Sequence, residues 1–378
     1  MTESGGRVPA AITRSTRIAL VKYFLYLGSL GFGGPVALVG YMQRDLVERR
    51  GWFTREEYLK CLALSQLAPG PLAAQLAICL GYVHSRVRGA TVVALAFILP
   101  SFAMTVGIGW LYVRFGGLSW MQAAFYGVGA AVIGIIVRAA WKLATLTLAR
   151  DRWQWAIFAV MGAVTAWTES EIAALFILCG VAYWLIHAPP LWLRRPSTAC
   201  LSVVWPGVLV QLAWFFTKAG AFVFGSGLAI VPFLHAGVVQ RYGWLDERQF
   251  LDAVAVAMIT PGPVVITVGF IGYLAAGAAG AVVAALATFL PCYVFTVIPA
   301  PHFRRLSRNR AIKAFVDGVT AAATGAIAGA AFVLGRRAIV DLPTAGIAGA
   351  TLLVSTYVRV PEPIVIVVAG LVGLLLHG

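Results

Sequence analysis

Charge is scarce in this chain. Only 11% of its 378 residues are Asp, Glu, Lys or Arg, and just 14 are acidic. A soluble globular domain carries about 25% charged residues, and no polar stretch here is long enough to form one. Ligand spacings are also lacking. The five cysteines, Cys61, Cys79, Cys179, Cys200 and Cys292, form no CxxC pair. They read as small apolar packing residues. The five histidines show no HExxH spacing, which argues against a zinc site. No GxxxxGK[ST] motif occurs, so the chain is not expected to hydrolyse nucleotide by itself. No metal, cofactor or enzymatic activity is expected. The stretch to about Thr16 is polar and reads as no removable signal peptide.

Apolar sequence is what the chain has in plenty. Hydrophobic residues make up 61%, and runs near 20 residues recur, each able to cross a hydrocarbon core of about 30 Å. Forty glycines suit close helix packing, and 12 Trp with 12 Tyr suit interfacial belts. The net charge of +15 sits in short loops between apolar runs. That pattern is expected of cytoplasmic loops and needs no nucleic-acid partner. The expected setting is a lipid bilayer, the bacterial inner (plasma) membrane, crossed many times.

The chain repeats itself. At an offset of 192 residues, Phe32-Gly33 falls on Phe224-Gly225, Gly51-Trp52 on Gly243-Trp244, and Pro69-Gly70-Pro71 on Pro261-Gly262-Pro263. One residue is then lost. At 191, Tyr82 meets Tyr273, Gly89 meets Gly280, Leu99-Pro100 meets Leu290-Pro291, and Gly127-Val128 meets Gly318-Val319. The expected repeats are 1–190 and 200–378, joined by a polar linker at 188–199. The expected fold is an all-α polytopic membrane protein of roughly 10–13 segments, some Gly/Pro-broken or re-entrant. Loop charge reverses between equivalents: Arg86 and Arg88 face an uncharged loop near 274–279, whereas Arg114 stands alone against Arg304, Arg305, Arg308, Arg310 and Lys313. Loops 83–88 and 301–313 therefore belong in the cytoplasm, and the halves are inverted-topology repeats. Arg336 and Arg337 fit this scheme less well.

The breaks carry the functional expectation. Phe32, Gly33, Gly34 and Pro35 interrupt the first segment of one half, and Phe224, Gly225, Ser226 and Gly227 that of the other. Pro69, Gly70 and Pro71, and Pro261, Gly262 and Pro263, interrupt the second segments. Proline stops the helix, and a restarted half-helix aims free N–H groups and its positive dipole end at membrane depth. Such an end suits an anion. The alternative is tight packing or a kink, but paired breaks in equivalent segments favour a binding site. Gln66, Gln75, Thr260 and Thr267 flank the breaks as candidate donors, against ordinary interhelical hydrogen bonding. Lys218, inside an apolar run, is a candidate counter-charge. Its alternative is a lysine reaching to the interface. Asp317 and Glu171 are candidates for a coupling proton, against solvated helix ends.

These motifs resemble the chromate ion transporter family in its long, two-domain form. The resemblance rests on FGGP and FGSG near the starts of the halves, the GW after each, the Gln66 and Thr260 stretches ending in PGP, and the Leu-Pro pairs at Pro100 and Pro291. Family members often carry a histidine shortly after the first FGGP. Leu38 stands in that neighbourhood, so no such role passes over. The family implies export of chromate, a sulfate-like oxyanion, by a secondary active transporter or antiporter that confers chromate resistance. A homodimer is one assembly open to it. Sulfate or molybdate transport, an intramembrane enzyme and a non-transporting scaffold remain the alternatives.

Overall fold

A computed structural model describes residues 14–32, 34–115, 119–148, 151–168, 173–188, 207–222, 230–302, 309–358 and 360–377. Those residues are mostly helical, with no strand among them. Phe224 to Gly227, Gly33, Glu171 and Cys200 lie outside them.

The first half opens with α1 (Arg14–Leu30) and α2 (Gly34–Met42), which continues as a π-helix over Gln43–Arg49. The chain doubles back at the Gly31-Phe32 break. The Arg50 guanidinium, beyond the π-helix, lies 5.3 Å from the ring of Tyr23 in mid-α1. α3 (Arg55–Leu67) starts at a capping box between Thr54 and Glu57 and runs to Pro69-Gly70-Pro71. α4 (Leu72–Phe115) is two arms, because Ser85 and Arg86 leave helical geometry. A Cβ on Gly81 would lie 2.6 Å from the Gly89 carbonyl oxygen, a contact that only a tight reversal permits. The long arm spans roughly 43 Å at 1.5 Å per residue. Phe53, before α3, meets His84, at the end of the short arm, with ring centroids 6.5 Å apart. α3 and the short arm of α4 therefore form a re-entrant hairpin with the PGP at its tip.

The second half reproduces this frame. α8 (Val208–Phe222) lies against α9 (Ile230–His235) and its π-helical extension, with Phe215 stacked on Phe233. α10 (Glu247–Ile259) starts at a capping box between Asp246 and Gln249. α11 (Thr267–Val297) breaks at Ala276 and Gly277 with nearly the same angles as Ser85 and Arg86.

Packing between halves settles their relative direction. Thr91, early in the long arm of α4, hydrogen-bonds Tyr293, late in α11, at 2.7 Å between hydroxyls. Gly109, late in α4, lies against Tyr273, just before the α11 break. Parallel repeats would put each pair at different membrane depths, so the repeats are inverted. The Thr91 contact also sets the turn at Arg86 and the end of α11 on one face, the face expected to be cytoplasmic.

The remaining helices interlock. α5 (Ser119–Thr147) packs on α13 (Leu342–Tyr357) and α14 (Glu362–His377) of the other half, while α12 (Arg310–Ala338) packs on α6 (Arg152–Thr168) and α7 (Ala173–His187). Glycine lets these backbones touch, as where Gly325 of α12 faces the Phe158 carbonyl of α6. Four helical stretches, Leu72–Phe115, Trp120–Thr145, Val264–Val297 and Arg310–Ala338, are long and apolar enough to cross a membrane. Exposed Leu95 and Leu99 on α4 match exposed Leu286 and Leu290 on α11, as a lipid-facing stripe requires.

Candidate functional site

The PGP tips meet the opposite half. The Gly262 N–H donates to the Gly31 carbonyl at 2.9 Å, joining the second-half tip to the first-half FGGP break. Gly262 has φ +96°, and a Cβ there would lie 2.0 Å from Ser101 Oγ, so glycine is required twice over. The Ser101 hydroxyl in turn donates to the Gly28 carbonyl at 3.0 Å. Gly70, φ +140°, is likewise seated on the opposite half, where a Cβ would lie 3.1 Å from Cys292 Sγ. Ser101 and Cys292 each follow a Leu-Pro pair one repeat apart, and both are fully buried. Ser101 falls near the middle of the long arm of α4, so the tips gather at mid-depth.

The restarted helices offer donors here. In the first half the first intrahelical bond runs from Gln75 N to Pro71 O, leaving the N–H groups of Leu72, Ala73 and Ala74 before it. In the second the Ile266 N–H bonds Pro263 O, leaving Val264 and Val265. Side chains contribute differently. Gln75 is fully buried; its Nε2 donates to Pro69 O at 2.7 Å and its Oε1 has no partner among the described residues. The Thr260 hydroxyl donates to the Val256 and Ala257 carbonyls, and that of Thr267 to the Ala253 carbonyl at 2.8 Å. In this conformation Thr267 ties the two arms of the hairpin together, whereas Thr260 bonds back into the last turn of α10. Gln66 is exposed on α3, Phe32 is half-buried, and Pro35 sits in the first turn of α2. Lys218 is half-buried on α8, its Nζ 5.0 Å from the centre of the Trp214 ring. Thus the structure joins Gly31 to Gly262, seats each PGP tip on the opposite half, and leaves Gln66 exposed.

This mirrored, glycine-tipped core is matched by comparison. The profile of the family described as chromate transporter matches twice, over residues 18–184 and 210–374. This chain belongs to the chromate transporter family. It is 58% identical to the chromate transport protein of Cupriavidus metallidurans over 390 residues, covering 100% of this chain and 97% of that protein. It is 55% identical to the probable chromate transport protein of Synechococcus elongatus, covering 94% of each. The chromate transport protein of Pseudomonas aeruginosa is 33% identical, with 94% and 91% covered. No solved structure matches the chain.

One group escaped the sequence reading. Asp252, on α10, is 2% exposed and accepts a hydrogen bond from the Tyr112 hydroxyl of α4 at 2.6 Å. It lines a cavity of about 480 Å³ with Gln122 and Tyr126 of α5, Arg248 of α10 and Arg337 of α12. The cavity lies on the face opposite Arg86, roughly 12 Å along α10 from Thr260. Arg337 pairs with Glu247 there, so its charge is partly neutralised. That accounts for one of the two arginines on the face where few are expected. The sequence signal for Asp252 was its place four residues after Arg248, inside an apolar run.

Proposed function

We propose that this family member exports chromate, or a similar tetrahedral oxyanion, across the bacterial inner membrane as a secondary active transporter by alternating access. The observation that carries the reading is the seating of the second re-entrant tip on the broken first segment of the other half at mid-depth, through Gly262 N–H and the Gly31 carbonyl. Inverted repeats that place interrupted helices at the midplane suit a substrate reached from each side in turn. The names of the full-length relatives supply the substrate class.

In this reading Phe32 to Pro35, Pro69 to Pro71, Phe224 to Gly227 and Pro261 to Pro263 form the cradle. Helix-start N–H groups after each PGP bind the anion, Gln75 orients the first tip, and Lys218 offsets charge. Gly262 packs on Ser101 too closely to admit a Cβ, so the anion reaches the cradle when the hairpin arms part. Thr260 and Thr267 are then free to exchange a backbone acceptor for an oxyanion oxygen. The repeats act as two units, 1–190 and 200–378.

The test is chromate uptake into inside-out vesicles under imposed voltage and pH gradients, with sulfate and molybdate as competitors. Gradient-driven chromate accumulation is the expected result. Accumulation of sulfate or molybdate in preference to chromate assigns another anion to the same machine. No flux of any of them rejects the transport reading.

A further inference from the structure

The cavity beside α10 places a carboxyl where an anion must pass. Asp252 is nearly as buried as the core around it, yet it sits on the same hairpin arm as the PGP tip and borders open space. A carboxylate in that position repels a dianion moving between cavity and tip, whereas a neutral carboxyl does not. Ionisable side chains inside membrane segments are costly and mark ion or proton paths. Asp252 is held by one neutral partner, the Tyr112 hydroxyl, which comes from the opposite half and is wedged against Phe125 and Phe270.

The surrounding groups are mixed in sign. Tyr112 faces Asp252 from α4, Gln122 and Tyr126 line the cavity from α5, Tyr273 of α11 lies against Gly109 one turn before Tyr112, and Arg337 comes from α12. On α10 itself stand Asp246, Glu247 and Arg248. Glu247 is engaged by Arg337 and by His235, 2.8 Å from its Nε2. The Arg248 guanidinium donates to the Gln122 carbonyl at 3.2 Å. Between Ile364 and Leu376, α14 carries no ionisable side chain. Asp252 thus has no basic side chain within ion-pairing distance among the described residues.

We propose that the Asp252 carboxyl, positioned by Tyr112, is the proton-binding site that links anion passage to proton movement. The proton adds to a carboxylate oxygen from water in the cavity and leaves by the same route. No bond in the anion forms or breaks. Protonation and anion occupancy then favour each other, because neutralising Asp252 removes the repulsion. The proposal rests on the reading of the chain as an oxyanion transporter.

The test uses full-length protein in proteoliposomes, with chromate flux measured at fixed voltage while the pH on one side is varied, in wild type and Asp252→Asn. The expected result is a wild-type flux that changes with pH and an Asp252→Asn flux that does not. A variant that keeps the wild-type pH response overturns the proposal, as does a wild-type flux indifferent to pH; in the latter case the transport reading survives. Absence of chromate, sulfate and molybdate flux in wild type removes the transport reading and this proposal with it. Should Asp252→Asn be inactive or unfolded, Tyr112→Phe decides. Losing the hydroxyl that stabilises the carboxylate moves the midpoint of the pH profile to higher pH. An unmoved midpoint, or a Tyr112→Phe protein that is itself inactive or unfolded while Tyr126→Phe is not, overturns the assignment of a proton-positioning role.

Discussion

At matched positions of the two re-entrant hairpins, Lys60 of α3 stands where Asp252 stands on α10, and exposed Gln66 stands where buried Met258 does. Lys60 is part-exposed and paired with Glu56 one turn away, whereas Asp252 is sealed against Tyr112. Yet the capping boxes, the PGP tips and the breaks after them recur at equivalent positions, with one residue lost between tip and break. Backbone constraints survive duplication because each is absolute: a positive φ, a missing N–H, a helix start. Side chains facing opposite sides of the membrane are under no such rule.

Substitutions at matched sites can sharpen or break that contrast. The largest effect is expected at the second tip. Gly262→Ala combines a forbidden φ with a collision on Ser101, whose hydroxyl is held by Gly28. Chromate flux should fall about a hundredfold, while Gly70→Ala, also at positive φ but meeting the Gln75 amide nitrogen at 2.7 Å rather than an atom at 2.0 Å, should cost about tenfold. Equal losses would mean the tips are interchangeable.

Lys218 comes next. Its counterpart in the first half is the exposed Tyr26, so the charge belongs to one half only. Lys218→Ala, with expression retained on a blot, should lower flux by about tenfold or more and remove chromate resistance. Lys22→Ala, at an exposed position on α1, should leave both intact. Full resistance in Lys218→Ala would take this residue out of the site.

The turns between arms differ in a smaller way. Arg86, φ +54°, occupies the conformation that Gly277, φ +62°, adopts without a side chain. Gly277→Arg should destabilise the purified protein by about 1–3 kcal/mol, and Arg86→Gly should relieve about 1 kcal/mol. Thermal unfolding in detergent would show the opposite shifts. A modest effect is expected at Ser101→Ala, which loses one buried hydrogen bond worth about 1 kcal/mol. Cys292, which faces Gly70 from the equivalent position, should tolerate alanine with a still smaller loss of thermal stability.

Much of this was legible in the chain. The near-constant offset, the paired PGP motifs and the reversal of loop charge pointed to inverted repeats, and the contacts of Thr91 with Tyr293 and of Gly109 with Tyr273 agree. The course of each break was not legible. Residues 58–82 form one apolar run in sequence, yet they are two antiparallel arms. A proline-flanked glycine interrupts a helix without stating whether the chain goes on or turns back. Gln66 resembled a donor because it precedes the PGP, but helical phase turns it outward. Asp252 was hidden among the polar residues that start α10, since only the neighbouring helices determine which of them is covered.

The sequence by itself determined that the chain spans a bilayer, that it is one unit written twice with opposite orientation, and where its helices must be interrupted. Those features follow from hydropathy, charge placement and the backbone limits of glycine and proline, all of them local. The tertiary structure alone decided that each PGP tip rests on the opposite half, that Ser101 and Cys292 are equivalent seats for Gly262 and Gly70, and that Asp252 is buried beside a cavity. Burial and contact depend on residues about 70 to 230 positions apart meeting in space, and no local pattern carries that distance.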